Sequence, residues 1–248
     1  MEVTYQEIYS KFYDQIHNTK EYSLETNVLQ KFIQTEFPRK KIAKVLDFGC
    51  GTGNHLSSLA GYAPELYGYD RSQAMLRKAL ENFPTLSFTS DFERVPKNLD
   101  LVYSLFDVCS YQVSRANLIE YFEMMASKLG NGGLLILDGW YLPGVRLSPP
   151  EYRERNLELG DLQVLRCVTP RTNDSYQTTE LAISLVDKSD GRVISTEEHL
   201  LRAFTMKEIL DAATVANFKE IGFRDGKNWA EPLEETSWRF MMYAIHSG

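Results

Sequence analysis

Between Val45 and Asn54 the sequence reads VLDFGCGTGN: an apolar run, then three glycines at alternate positions, then a segment with helical spacing. A strand that passes through glycines directly into a helix is a β-turn-α unit. Glycine tolerates positive φ and leaves no Cβ in the way of a ligand. The unpaired N–H groups that open the next helix suit an anionic group such as a carboxylate or phosphate.

The rest of the N-terminal half repeats the alternation. The pattern predicts strands at 44–50, 66–70, 86–89, 99–106 and 133–140. Helices are predicted at 54–60, 72–82 with Ser72 as N-cap, and 114–129 with Ser114 as N-cap and Gly130 as the stop. Strands separated by helices imply a parallel, doubly wound sheet. Ahead of it, residues 2–37 read as two helices broken near His17-Asn18-Thr19. With 43% hydrophobic residues in 248, the chain has enough apolar side chains for a large core. The net charge of −7, without a long Lys/Arg run, argues against broad binding to nucleic acid or anionic membranes. Cys50, Cys109 and Cys167 form no CxxC pair, which disfavours a zinc or dithiol site and fits a reducing compartment. No apolar run reaches the roughly 18 residues of a membrane span, and a cytoplasmic location is expected.

After residue 140 the pattern changes. LPGVRLSPPEYRER, with three prolines, reads as a loop. LQVLRCVT, SYQTTELAISLV and GRVISTEEHLLRAF alternate like antiparallel strands, and Asp190-Gly191 marks a hairpin. Thr205 and Glu208 form a capping box that opens a helix over 205–216, and FKEIGF and WRFMMYAIH close the chain as strands. The expected division is a helical lid over 1–40, a ligand-binding core over 41–145 and 205–248, and an antiparallel insert over 146–204 that contributes to a second site. The insert's edge strands offer a pairing surface for a homodimer.

Seventeen residues after Gly53, Asp70 ends the second strand, where a carboxylate can take both hydroxyls of a ribose. The ligand is thus a nucleoside. Dinucleotide loops carry G-x-G-x-x-G, but here the spacing is G-x-G-x-G with Asn54 in the next place, and the acid Asp47 precedes the loop. A carboxylate repels a pyrophosphate and attracts an ammonium. S-adenosylmethionine, with an adenosine, an amino-acid end and a sulfonium, fits better than NAD. An NAD-dependent oxidoreductase and a non-catalytic nucleoside-binding protein are the other two classes.

VLDFGCGTGNHL, YGYDRSQAML and SDF together resemble the class I S-adenosylmethionine-dependent methyltransferases. That resemblance implies a Rossmann-like seven-stranded sheet of order 3-2-1-4-5-7-6 with the last strand antiparallel. It implies that Gly49, Gly51 and Gly53 line the methionine portion, that Asp70 holds the ribose, and that Asp91 and Phe92 meet the adenine. Arg71, Met75, Leu105 and Phe106 flank the cofactor, and His55, one turn into the first core helix, reaches it. Further along, YSKFYDQIHNTKEY, SLFDVCSY, LDGWYLPGV, HLLRAFT and SWRF resemble bacterial N-methyltransferases that dimethylate the amino group of nucleotide-linked aminodeoxy sugars. On that likeness Tyr13 reaches the substrate, Tyr22 contacts the methionine end, and Arg239 approaches the nucleotide sugar. Asp138 and Gly139 replace the Glu and Pro of an E-P-W-W segment, and Tyr111 falls where relatives carry His or Tyr.

Only a neutral amine is nucleophilic, so one group must take a proton. Tyr111, Asp138, Tyr13 and Asp107 are candidates by position. Several have a second reading: Tyr13 as helix packing beside Tyr9 and Phe12, Tyr22 as a helix-start packing residue, Trp140 and Tyr141 as closure of the sheet edge, and Arg239 as a surface partner of Glu234 or Glu235. His17, His199 and His246 show no ligand spacing and read as structural. Asp187, Glu197 and Glu198 read as solvated.

Overall fold

A computed structural model describes residues 7–248. Two helices, α1 (Glu7–Ile16) and α2 (Tyr22–Glu36), precede a seven-stranded sheet. The first part of the expected helical segment, residues 2–6, lies outside the described residues. The sheet contains β1 (Lys44–Phe48), β2 (Glu65–Tyr69), β3 (Ser87–Thr89), β4 (Leu99–Ser104) and β5 (Leu129–Trp140). Its helices are α3 (Asn54–Ser58), α4 (Gln73–Asn82) and α5 (Arg115–Lys128). The order is β3-β2-β1-β4-β5-β11-β10, where β10 (Phe218–Asp225) and β11 (Arg239–His246) follow the insert. Strands β1 to β5 are parallel, and β11 runs antiparallel between β5 and β10. This is the expected Rossmann-like methyltransferase topology.

Strand alternation explains how the sheet is buried on both faces. Leu134 and Ile136 pack with Val45, Leu101 and the α2 residues Leu29, Phe32 and Ile33. The intervening Leu135 and Leu137 pack with Leu118, Phe122 and Met125 of α5 and with Ile209. Both faces being apolar, the strand reads as a continuous hydrophobic run. Truncating the fully buried Phe122 to Ala is expected to cost about 3–5 kcal/mol through the cavity left behind.

The insert is a second, four-stranded antiparallel sheet: β6 (Arg153–Leu159), β7 (Leu162–Thr172), β8 (Thr178–Asp187) and β9 (Val193–Arg202). Helix α1 joins it to the core, since Tyr9, Tyr13 and Ile16 pack with Leu157, Val164, Ile183 and Leu185 of the insert and with Met75 of α4. The chain returns to the sheet through Phe204, whose N–H donates to the Trp140 carbonyl at 2.9 Å. Helix α7 (Met206–Val215) then opens with both halves of the Thr205–Glu208 capping box, and Gly191 takes φ +74° in the turn between β8 and β9.

Three local expectations are corrected. The proline-rich stretch is not all loop: α6 (Leu142–Leu147) starts there, with Pro143 in its first turn, where a missing N–H costs nothing. Strand β6 escaped the periodicity because five of its seven residues, Arg153, Glu154, Arg155, Asn156 and Glu158, are exposed on the sheet edge. Strand β5 begins at Leu129 rather than Gly133: Leu129 pairs with Leu99, and a register shift before Leu101 absorbs the glycines. Among the described residues no helix is long and apolar enough to cross a membrane.

Candidate active site

A cavity of about 390 Å³ opens beside the glycine loop. Its walls include Gly49, Gly51, His55, Asp70, Arg71, Met75, Leu105, Phe106, Tyr13, Tyr22 and Tyr111 from the expected set. The loop needs glycine for two separate reasons. Gly49 takes φ +85°, and a Cβ there would sit 2.7 Å from the Val108 side chain. Gly53, at φ +82°, lies behind the wall, and its Cβ would meet the Phe88 ring at 2.7 Å. The Asp70 carboxylate fixes the loop from below by accepting from the N–H of Gly51 and of Ser72, each at 2.8 Å. Each carboxylate oxygen keeps further acceptor capacity for a ligand hydroxyl. The cavity therefore combines bare backbone, a carboxylate and aromatic side chains, which fits a nucleoside with an amino-acid end.

Besides Gly53, three expected cofactor residues stand elsewhere. Asp47, 2% exposed, is not on the cavity wall. It is held in the sheet between Gly68 and Tyr103, and burial, with the Asp70 charge adding to it, pushes its carboxyl up to about 8. It is a mostly neutral acid behind the loop rather than a direct partner for an ammonium. Asp91 caps the short turn Phe92–Arg94 by accepting from the Glu93 N–H at 3.1 Å, and it pairs with Arg94 at 3.4 Å. Phe92 packs edge-on to Tyr69, with ring centroids 5.0 Å apart, and so supports the wall without lining it.

The N-terminal helices clamp this cavity. Asp14 on α1 accepts from Thr52 (2.6 Å) in the glycine loop, from Asn54 (2.9 Å) at the start of α3 and from Asn82 (2.8 Å) on α4. Glu25 on α2 bridges Lys20 at 3.0 Å and His55 Nε2 at 2.6 Å. Burial pushes the Glu25 carboxyl up, but these two partners outweigh it and hold it at about 2. Tyr22 stands edge-on to the His55 ring with centroids 4.9 Å apart. The Lys20 ammonium lies 3.4 Å from the Phe106 ring centroid, within cation–π range.

A second cavity, of about 920 Å³, shares Leu105, Phe106 and Tyr111 with the first. Asp138 and Trp140 at the end of β5, Arg239 at the start of β11 and His199 of β9 line it. Phe106 and Asp107 both take positive φ, +70° and +64°, a strained arrangement for two consecutive non-glycine residues. Asp138 holds that turn by accepting from the Phe106 N–H (3.2 Å) and the Asp107 N–H (2.8 Å). Burial first, and the Asp107 charge second, raise the Asp138 carboxyl to about 7. Arg239 donates to Asp107 at 2.5 Å, so its partner is not Glu234 or Glu235. Tyr111 Oη lies 2.8 Å from His199 Nδ1. Tyr141, expected at the substrate, lines neither cavity and packs with Phe204 in the core.

Several residues here went unread in the sequence. Glu197 reads as solvated in the sequence but is 1% exposed, and His199, which reads as structural, is 3% exposed and lines the second cavity. The signal was present: Glu197, His199 and Leu201 alternate on one face of β9. Asp187 is also buried rather than solvated, and its carboxylate accepts from the N–H and hydroxyl of Ser189 in the β8–β9 turn. His17 and Lys20 reach the second cavity from the connection between α1 and α2.

Comparison with known proteins matches the profile of a methyltransferase domain to residues 20–167. A curated relative, the dTDP-3-amino-3,4,6-trideoxy-alpha-D-glucopyranose N,N-dimethyltransferase of Streptomyces venezuelae, is 25% identical over 88% of this chain and 91% of its own length. Among solved structures, the sugar N-methyltransferase KedS8 from Streptoalloteichus sp. ATCC 53650 superposes with a TM-score of 0.79 at 20% identity, covering all of this chain and 96% of the other. CalS10, an amino pentose methyltransferase from Micromonospora echinaspora solved with S-adenosylmethionine bound, gives 0.74 at 22% identity over the whole of both chains.

Proposed function

The chain belongs to the methyltransferase domain family and is an S-adenosylmethionine-dependent methyltransferase; from that premise we propose that it methylates the amino group of a nucleotide-linked aminodeoxy sugar. One observation carries this reading. A second cavity, larger than the cofactor cavity, meets it at Leu105, Phe106 and Tyr111. Its volume lies at the upper end of the range for small-molecule sites. The curated relatives that match along most of the chain act on dTDP-linked amino sugars, which supports the same class of acceptor.

When bound, S-adenosylmethionine supplies a methyl group on a cationic sulfur. In the proposed arrangement Asp70 takes the ribose hydroxyls, Gly49 and Gly51 present bare backbone to the amino-acid end, and Tyr22, His55, Arg71, Met75, Leu105 and Phe106 enclose the rest. On the acceptor side Trp140 and Arg239 orient the sugar nucleotide. Of the four proton-acceptor candidates, Tyr13 lines the cofactor cavity, Asp138 and Asp107 the acceptor cavity, and Tyr111 both. Tyr111 thus has the best position to receive an N–H of the acceptor, and Asp138 acts by shaping the turn at Phe106-Asp107. The test is a methyl-transfer screen against nucleotide-linked amino sugars, with mass spectrometry counting the methyls added. A gain of one or two methyls on such a compound supports the reading. Turnover restricted to acceptors without an amine sinks it.

A further inference from the structure

The insert sheet delivers one chemically active side chain to the junction of the two cavities. His199, on the inward face of β9, is buried against the acceptor cavity, and its Nδ1 meets Tyr111 Oη at 2.8 Å. The two residues are 88 positions apart in sequence, so the contact exists only because the insert folds back onto the turn after β4. Burial, reinforced by the nearby Arg166 guanidinium, holds the imidazole down to about 4, so it is neutral at working pH. A neutral imidazole nitrogen is far more basic than a phenol oxygen, and the phenol is the better donor of the two. The shared hydrogen then rests on Tyr111, and His199 carries its own on Nε2.

We infer that His199 is a positioning residue that fixes the Tyr111 hydroxyl as a donor into the imidazole, so that the phenol oxygen faces the methyl acceptor only as a hydrogen-bond acceptor. A phenol has a single hydrogen, and once that is committed the remaining capacity is lone pairs. An acceptor N–H can donate to those lone pairs and keep its nitrogen lone pair for bond formation. A carboxylate or carbonyl oxygen would meet lone pair against lone pair. The pair therefore selects a hydrogen-donating nucleophile, which deepens the reading of an amine acceptor and rests on it.

Two arms test this. In protein labelled with 15N-histidine and examined without substrate, His199 is expected as the neutral Nε2–H form between pH 6 and 8, with an Nδ1 resonance that shifts in Tyr111→Phe. A hydrogen on Nδ1, or no response to Tyr111→Phe, overturns the inference. In turnover, His199→Phe is expected to lower kcat/KM for the amine about 10- to 100-fold, the scale of one transition-state hydrogen bond. S-adenosylmethionine affinity is expected to stay within about 2-fold, because His199 lies off the cofactor cavity wall. His199→Asn, which keeps an acceptor near the Nδ1 position, restores most of the loss. Placed on Tyr111→Phe, the His199→Phe change costs at most about a further 2-fold, because the two act as one unit. Equal loss in the Phe and Asn variants, or additive losses, overturns it. If the wild-type enzyme methylates no amine, the proposed function falls, and the spectroscopic arm still decides the hydrogen bond.

Discussion

The two cavities are built in opposite ways. The cofactor cavity is built around the glycine loop, the end of β2 and the start of α4, within residues 48–75, with Tyr13, Tyr22, the turn after β4 and α5 closing it. The acceptor cavity draws on the α1–α2 connection, the ends of β4 and β5, all four strands of the insert and the approach to β11. One is organised around a local motif, and the other is a meeting of segments that run from Tyr9 to Arg239. On the proposed reading, the difference teaches where each chemistry is set: cofactor binding around one short stretch of sequence, acceptor choice in how the insert docks.

Substitutions on the two sides are expected to separate. The largest effect is predicted for Gly49→Val, which adds a Cβ 2.7 Å from Val108 at φ +85°. Calorimetry is expected to show S-adenosylmethionine affinity reduced about 100-fold or more, since strain and overpacking act together at this position. Preserved cofactor affinity with lost acceptor binding would break the division between the sides. Next, Asp138→Asn turns an acceptor into an NH₂ group against one of two backbone donors. It is expected to lower kcat/KM for the acceptor about 10- to 100-fold while cofactor Kd changes less than about 3-fold. A parallel loss of cofactor affinity would show that the turn at Phe106 serves both cavities equally.

Smaller effects sharpen the picture. Glu25→Gln removes the charge between Lys20 and His55. Because Glu25 is about half exposed, the pair is partly screened. A loss of cofactor affinity of about 3- to 10-fold is expected from looser N-terminal helices, and none would detach these helices from cofactor binding.

The smallest effect concerns pH. Asp47 and Asp138 have carboxyls raised to about 8 and about 7 in the folded protein. Their contribution to stability is fully present below the ordinary carboxylate pKa and is lost as pH rises through 7 to 8. His17 and His199, both lowered to about 4, work in the other direction: their contribution is present above the ordinary histidine pKa and is lost as pH falls toward 4. Without ligand, Tm is therefore expected to fall between pH 6.5 and 8.5. Asp47→Asn is expected to make that fall shallower by about 3 °C, read by differential scanning calorimetry. An unchanged slope would mean that Asp47 is ionised in the folded state.

The legible parts of the sequence were those fixed by nearest neighbours. The strand–glycine–helix unit, the Thr205–Glu208 box and the Asp190-Gly191 turn each depend on a few contiguous residues, and each stands in the structure. Asp47 shows the limit even there. Its place in the motif suggested a charge facing the ligand, but β1 alternation and its neighbours Gly68 and Tyr103 enclose it. Tyr111–His199, Arg239–Asp107 and the Asp138 clasp on the Phe106 turn join segments that no local pattern relates. Edge strand β6 stayed hidden for a different reason: its exposed charged residues give it no apolar alternation.

The central claim is that methyl passes to a nitrogen held where the two cavities meet. It is tested most directly with S-adenosylmethionine carrying a 13C-labelled methyl and a nucleotide-linked amino sugar, followed by 13C NMR of the product. The account predicts a labelled N-methyl resonance from the wild-type enzyme, strongly reduced in Tyr111→Phe. A label on oxygen or carbon, or undiminished N-methylation by Tyr111→Phe, would contradict it.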